Sequence, residues 1–279
     1  NGVANVYVGS TPLVEFNRAR GLTVDRVYQD GLELATVRFT DDGSTADVRG
    51  GSLAAIVGTA DSEVVQQLRA LDELAHGLIY EVNRVHSTGA GLVGLRETTA
   101  SYDVRDTAAA LDSAEAGLAF PIRNGSFIVS VRDTYTGQVT TRQIKVTLDG
   151  TAGGTSLNQL SAALDGVPGL SAALGGDGRL SLKADADTEF WFSEDSSGAL
   201  AALGVGTFFT GQSAADINVR GEVRGDPRLI AASLSGAAGD AGNAGRLAVL
   251  GQQSSGVLGT QSINDFRAGM VNALAVSTA

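Results

Sequence analysis

The chain has 279 residues, with 20 Lys and Arg against 31 Asp and Glu and a formal charge of −11, giving a pI near 4.6. An acidic surface repels phosphate backbones, so nucleic-acid binding is disfavoured. Cysteine is absent, which removes disulfides, thiolate zinc sites and cysteine nucleophiles together, and there is no apolar run of the roughly 18 residues that a membrane-spanning helix needs.

At roughly 150 residues per domain the length suggests two domains, and 43% hydrophobic content is enough to build cores. The first residue is Asn1 and no charged-then-apolar leader precedes it, so no cleaved signal peptide is expected. The chain reads as a piece trimmed from a longer protein. Asn5 to Val8 and Leu13 to Phe16 read as strands around a Gly9-Ser10-Thr11-Pro12 turn. Leu22 to Tyr28 and Leu34 to Phe39 read as a hairpin across Asp30-Gly31. Asp41-Asp42-Gly43 marks a further turn.

The strongest periodicity comes next. Val64, Leu68, Leu71, Ala75, Leu78, Val82 and Val85 recur at steps of 4, 3, 4, 3, 4 and 3. A mean step of 3.5 predicts a bundle or coiled-coil helix over Asp61–His86 with one packing stripe. Thr59 or Asp61 can cap its start, and Gly89 lies just past its end. Val65, Leu74 and Ile79 widen the stripe, as expected of a helix with more than one partner.

Beyond Leu95 the texture changes. Glu97 to Asp106 is polar and Thr-rich and reads as a linker; Thr107 to Leu118 reads as a short helix. Phe127–Val131 and Val139–Leu148 alternate at period two around an Asp133–Gly137 turn, a β-hairpin. Ser156 to Leu164 has helical spacing. Arg179–Lys183 and Glu189–Ser193 read as strands, and Ala199–Leu203 as a helical turn. Asp226-Pro227 reads as a helix start, and Ser235–Gly245 as a Gly/Ala loop. Ser262 with Asp265 reads as a capping box opening a helix that carries Ile263, Phe266, Met270 and Leu274. The expected class is α+β. A discontinuous inner domain, residues 1–99 and 223–279, is bundle-like with N-terminal β-hairpins, and residues 100–222 form an inserted α+β outer domain.

No catalytic, cofactor or metal constellation stands out. His76 and His86 lie ten residues apart, off the i, i+4 spacing of paired metal ligands, and read as surface or edge residues. Asp185, Asp187 and Glu189 alternate along an extended stretch and read as solvated carboxylates on one strand face. No Gly-x-Ser-x-Gly, dinucleotide fingerprint or P-loop occurs. Phe190-Trp191-Phe192 and Phe208-Phe209 read as core of the middle region, with a carbohydrate-stacking platform near Trp191 as the alternative.

Gly50-Gly51-Ser52-Leu53, then Leu71-Asp72-Glu73-Leu74-Ala75, Glu81-Val82-Asn83-Arg84-Val85-His86 and Gly89-x-Gly91-Leu92-x-Gly94 follow one another in order. This series resembles the flagellar hook-associated protein one family, the hook–filament junction proteins. Leu203–Gly211 with Ala215–Val219 is similar to a second signature of that family, and Asp226–Ala232 with Gly239–Leu250 to its return segment. Phe127–Leu182 looks like a small repeat domain of hook and filament-cap proteins. The resemblance implies an extracellular structural subunit, exported through the flagellar channel without a cleaved signal. It implies further copies of itself, the hook protein, a neighbouring junction protein and an export chaperone as partners. The family's terminal heptad-rich helices are missing here. If the stripe is buried, Leu71→Asp is expected to destabilise the fold by several kcal/mol.

Overall fold

The computed structural model describes residues 5–8, 11–16, 18–29, 32–48, 50–52, 54, 64–150 and 153–277. The chain divides into two compact units, residues 1–71 with 269–279, and residues 72–268. Residues 72–99 and 223–268 therefore sit in the same compact unit as residues 100–222. With 29% helix and 28% strand, and no barrel among the described residues, the class is α+β.

In the first unit, β1 (Val6–Val8), β2 (Thr11–Glu15) and β3 (Arg18–Ala19) form an antiparallel meander. Thr11 and Pro12, expected in a turn, belong to β2. β4 (Leu22–Gln29) and β5 (Leu32–Phe39) form the expected hairpin, with Leu22 opposite Phe39 and Gln29 opposite Leu32. Its Asp30-Gly31 turn lies outside the described residues, as do Gly9 and Ser10 and the candidate caps Thr59 and Asp61. Period two puts Val37 and Phe39 on one face, where they are buried with Ala46 beside Leu13 and Val48. Arg20 closes this cluster. Its guanidinium carbon lies 3.9 Å from the Phe39 ring centroid, and it donates to Asp41 at 2.8 Å and Asp42 at 2.7 Å.

Helix α1 runs from Val65 to His86 without a break. It starts among the residues of the first unit and ends among those of the second.

The second unit is built on two antiparallel three-stranded sheets. One has the order β6 (Glu97–Thr99), β10 (Leu180–Ala184), β9 (Leu170–Leu174); the other is β11 (Thr188–Ser193), β7 (Gly125–Asp133), β8 (Val139–Val146). Helix α2 (Leu157–Asp165) packs on β8 and β9. Its start is a reciprocal cap: Gln159 N–H donates to Ser156 Oγ, and Ser156 N–H donates to Gln159 Oε1 at 3.0 Å. Leu157, Leu160 and Leu164 face a core shared with Phe127, Val129, Ile144, Phe190 and Phe192.

Two expectations fail in this unit. Glu97–Asp106 is not a linker: Thr98, Ala100, Tyr102 and Val104 are all buried. Their period of two is the inward face of an extended segment that pairs with β10. Thr107–Leu118 holds no helix; it is a run of turns tied down by Leu111 N–H to Thr155 O at 3.0 Å. The remaining elements are short: α3 (Ala199–Leu203), β12 (Phe209–Thr210), β13 (Asn218–Val219), α4 (Gly221–Gly225) and α5 (Gly242–Val249). Asp226-Pro227 opens only a single 3₁₀ turn, Pro227–Leu229. The Gly/Ala tract stops being a loop at Gly242. Finally, α6 (Ile263–Ser277) starts at Ser262, whose Oγ accepts the Asp265 N–H at 3.1 Å. Among the described residues, no helix is long and apolar enough to cross a membrane.

Candidate functional site: the face of the long helix

The seven stripe residues differ in exposure along α1. Val64, Leu68 and Leu71 are 48%, 36% and 44% exposed. Ala75 and Val85 are buried, and Leu78 and Val82 are half-buried. A charge at Leu71 would therefore keep part of its hydration, so the several-kcal/mol penalty expected for a buried position does not apply to this chain alone.

The C-terminal half of α1 is held mainly by other residues. Ile79 is fully buried and Tyr80 nearly so, in a cluster with Tyr102, Phe120, Ala201 and Ala202. The Tyr80 and Phe120 rings stack at 5.5 Å, and the His76 ring stacks on Phe120 at 4.3 Å. Burial pushes the Tyr80 phenol above its ordinary pKa.

Polar side chains on α1 then pin three distant segments. Asn83, fully buried, accepts the N–H of Phe208 at 3.0 Å and of Phe209 at 2.8 Å, and donates to Phe209 O at 3.0 Å. It thus supplies the edge of β12 with the backbone-like partner that an extended segment needs. Glu81, 5% exposed, accepts from Arg84 at 2.8 Å and from Ser255 Oγ at 2.8 Å. His86 meets Gly206 O through Nδ1 at 3.0 Å and accepts the Ala231 N–H on Nε2 at 3.1 Å. Burial holds the His86 imidazole down to about 4. The surface-or-edge reading of His86 is thus wrong: it is 4% exposed. His76 is half-buried, with Nδ1 3.1 Å from Gln212 O.

The Gly-rich exit has a steric reason. A Cβ on Gly91 would strike the carbonyl oxygen of Arg228, and one on Gly89 would strike Asn243 and come 2.8 Å from Ser233 O. These close approaches let Ala90 pair with Ser233 (2.8 and 3.0 Å) and let Leu92 N–H donate to Arg228 O at 2.7 Å. Asn243, also fully buried, donates to Val85 O and Ala231 O. The Gly242 N–H, with the Ser235 hydroxyl and N–H, holds the Asp240 carboxyl well below the usual range.

A second node is Arg220, 5% exposed. It donates to Gly204 O at 2.6 Å, Thr98 Oγ1 at 2.9 Å and Thr99 O, and pairs with Glu222 at 2.8 Å. Asn83 and His86 were legible as a motif but not as anchors: they are three apart on one helical side, amid apolar neighbours. Arg220 had no signal in the sequence.

The acidic stretch also differs from expectation. Asp185 and Asp187 lie in a turn, with Asp187 at φ +61°. Glu189 is 7% exposed; it pairs with Arg132 and accepts the Gly94 N–H at 2.8 Å. Phe190, Trp191 and Phe192 are core, Trp191 being 7% exposed, so there is no open aromatic platform for a glycan there. Among the described residues, no group of three or more His, Cys, Asp or Glu is placed to hold a metal ion.

A search among curated proteins finds no match to this chain. Residues 1–99, which carry the opening strands, the whole of α1 and the Gly-rich exit, match the family model described as the flagellar hook-associated protein FlgK helical domain. That match covers 99 of the 279 residues, so it is this portion of the chain that is similar to the helical domain of the flagellar hook-associated proteins.

Proposed function

We propose that this chain is a subunit of the junction between hook and filament, and that it assembles by helix packing through the free end of the α1 stripe. The observation that carries this reading is the exposure of Val64, Leu68 and Leu71 on a helix whose other end is locked in place. A large apolar side chain left at heptad spacing on a helix needs a partner helix to cover it. Its partners are other copies of the chain, the hook protein and the neighbouring junction protein, with a chaperone during export. It travels the flagellar channel without a cleaved signal. A cysteine-free chain suits passage in an unfolded state, and the net charge of −11 keeps unassembled subunits apart.

The test uses the full-length gene in a flagellated host lacking its own copy. A Leu68→Asp, Leu71→Asp double variant should be exported at the parental level yet leave hooks without filaments. Normal filaments and motility from that variant would overturn the packing role.

A further inference from the structure

The end of α1 seals a titratable ring between two segments remote in sequence. A backbone N–H can only donate, so the Ala231 N–H on Nε2 at 3.1 Å means that nitrogen bears no proton. Nδ1 then carries it and donates to Gly206 O at 3.0 Å; the tautomer is assigned by these partners. A second proton would have to sit on Nε2, facing another donor. The Ala231 N–H would lose its acceptor, and a cation would form in a site with little room for water. The cavity beside the ring has a volume of about 30 Å³, enough for one or two waters.

The charged groups around the ring give no compensating anion. Arg220 and Glu222 line the same cavity, and Glu222 is taken up by Arg220 at 2.8 Å. On the return segment, Asp226 and Arg228 pair with each other at 2.7 Å. On α1, Arg84 pairs with Glu81. α5 presents neutral Asn243, with Arg246 exposed. Asp240 is occupied by Ser233, Leu234, Ser235 and Gly242.

The segment that His86 holds has little apolar packing to hold it. Between Asp226 and Asn243, Ala231 is the one described hydrophobic residue that is buried. Its hydrogen bonds to other parts of the unit include the Ala90–Ser233 pair, the Leu92–Arg228 bond, the Ala244 N–H on Ala232 O at 2.9 Å and the Asn243 amide on Ala231 O. Segments with few apolar contacts open locally before the core does.

We propose that His86 is an acid-sensitive latch, whose protonation frees the Asp226–Asn243 segment from the end of α1 while the sheets of the same unit stay folded. The direction follows from burial. The closed imidazole is held at about 4, against an ordinary 6.5. The open state therefore binds the extra proton, and closure is weakened as pH falls from 6.5 towards 4, then changes no further. Between pH 7.5 and pH 5 the closing equilibrium should fall about 30-fold.

Amide hydrogen exchange, corrected for intrinsic rates, reads this directly. Amides 228–234 should lose about 30-fold in protection between pH 7.5 and pH 5, while those of β7 keep theirs. His86→Gln, which cannot titrate, should flatten that dependence; His76→Gln should keep it. Equal pH dependence in His86→Gln and parent would overturn the latch. Should His86→Gln not fold, ring ¹⁵N shifts of the parent decide. An Nδ1–H tautomer titrating below 5 supports the latch, and a ring titrating near 6.5 overturns it.

Discussion

The two ends of α1 carry one heptad pattern and meet different surroundings. Towards the N-terminus, Val64, Leu68 and Leu71 keep over a third of their surface open. Towards the C-terminus, the helix is fastened by Ile79 and Tyr80 and by the side chains of Glu81, Asn83 and His86. An apolar stripe is non-directional and can serve any complementary helix. Buried hydrogen bonds are directional and tolerate one arrangement only. The contrast separates a surface suited to assembly from one that sets the geometry of a single chain.

The same substitution at two positions of α1 would show the contrast most strongly. Ile79→Asp places an unpaired charge at a position with no exposure. It should cost at least about 4 kcal/mol and leave the second unit largely unfolded at 37 °C, seen as loss of near-ultraviolet circular dichroism. A parental melting profile for this variant would show that the cluster around Phe120 is not packed as described.

Asn83→Ala comes next. It removes the acceptor for the N–H groups of half-buried Phe208 and Phe209 and the donor to Phe209 O, with an expected loss of about 3 kcal/mol. Urea denaturation measures it, and a loss below about 1 kcal/mol would mean that water or another side chain replaces the amide.

Gly77→Ala tests how tightly that end is packed. In an open helix the change would stabilise by about 1 kcal/mol. Here the new Cβ would lie 2.6 Å from Leu258 Cγ, so a loss of about 1–3 kcal/mol is expected instead. Combining it with Leu258→Ala should recover part of the loss. A double-mutant cycle with zero coupling would break the claim that steric contact with Leu258 reverses the sign.

Much of this was readable from residues alone, and the failures have identifiable causes. The helix, both hairpins and the cap at Ser262 rest on local rules, a 3.5 or 2.0 period and a hydroxyl three residues before its N–H partner, and local rules survive folding. The Glu97–Asp106 segment was misread because threonines masked a period of two whose inward members are Thr98, Ala100, Tyr102 and Val104. The long-range polar nodes were not legible. What makes His86 a core residue is Ala231, which lies 145 residues away, and no spacing rule links them. Glu189 was read as solvated for the same reason: its partners Arg132 and Gly94 come from other segments.

Leu71→Asp is the smallest expected effect on the chain alone and the sharpest against Ile79→Asp. The side chain is 44% exposed, so the carboxylate can reach water, and helix propensity changes little between these residues beyond about 0.5 kcal/mol. The melting temperature should fall by at most a few degrees for a stability change within about 1 kcal/mol. Any larger destabilisation would mean that Leu71 is covered within the monomer and is not available to a neighbour. The expected pairing, near-parental stability in the isolated chain with lost filament attachment in cells, is a pattern a folding defect cannot produce. It would place the function of Leu71 in assembly.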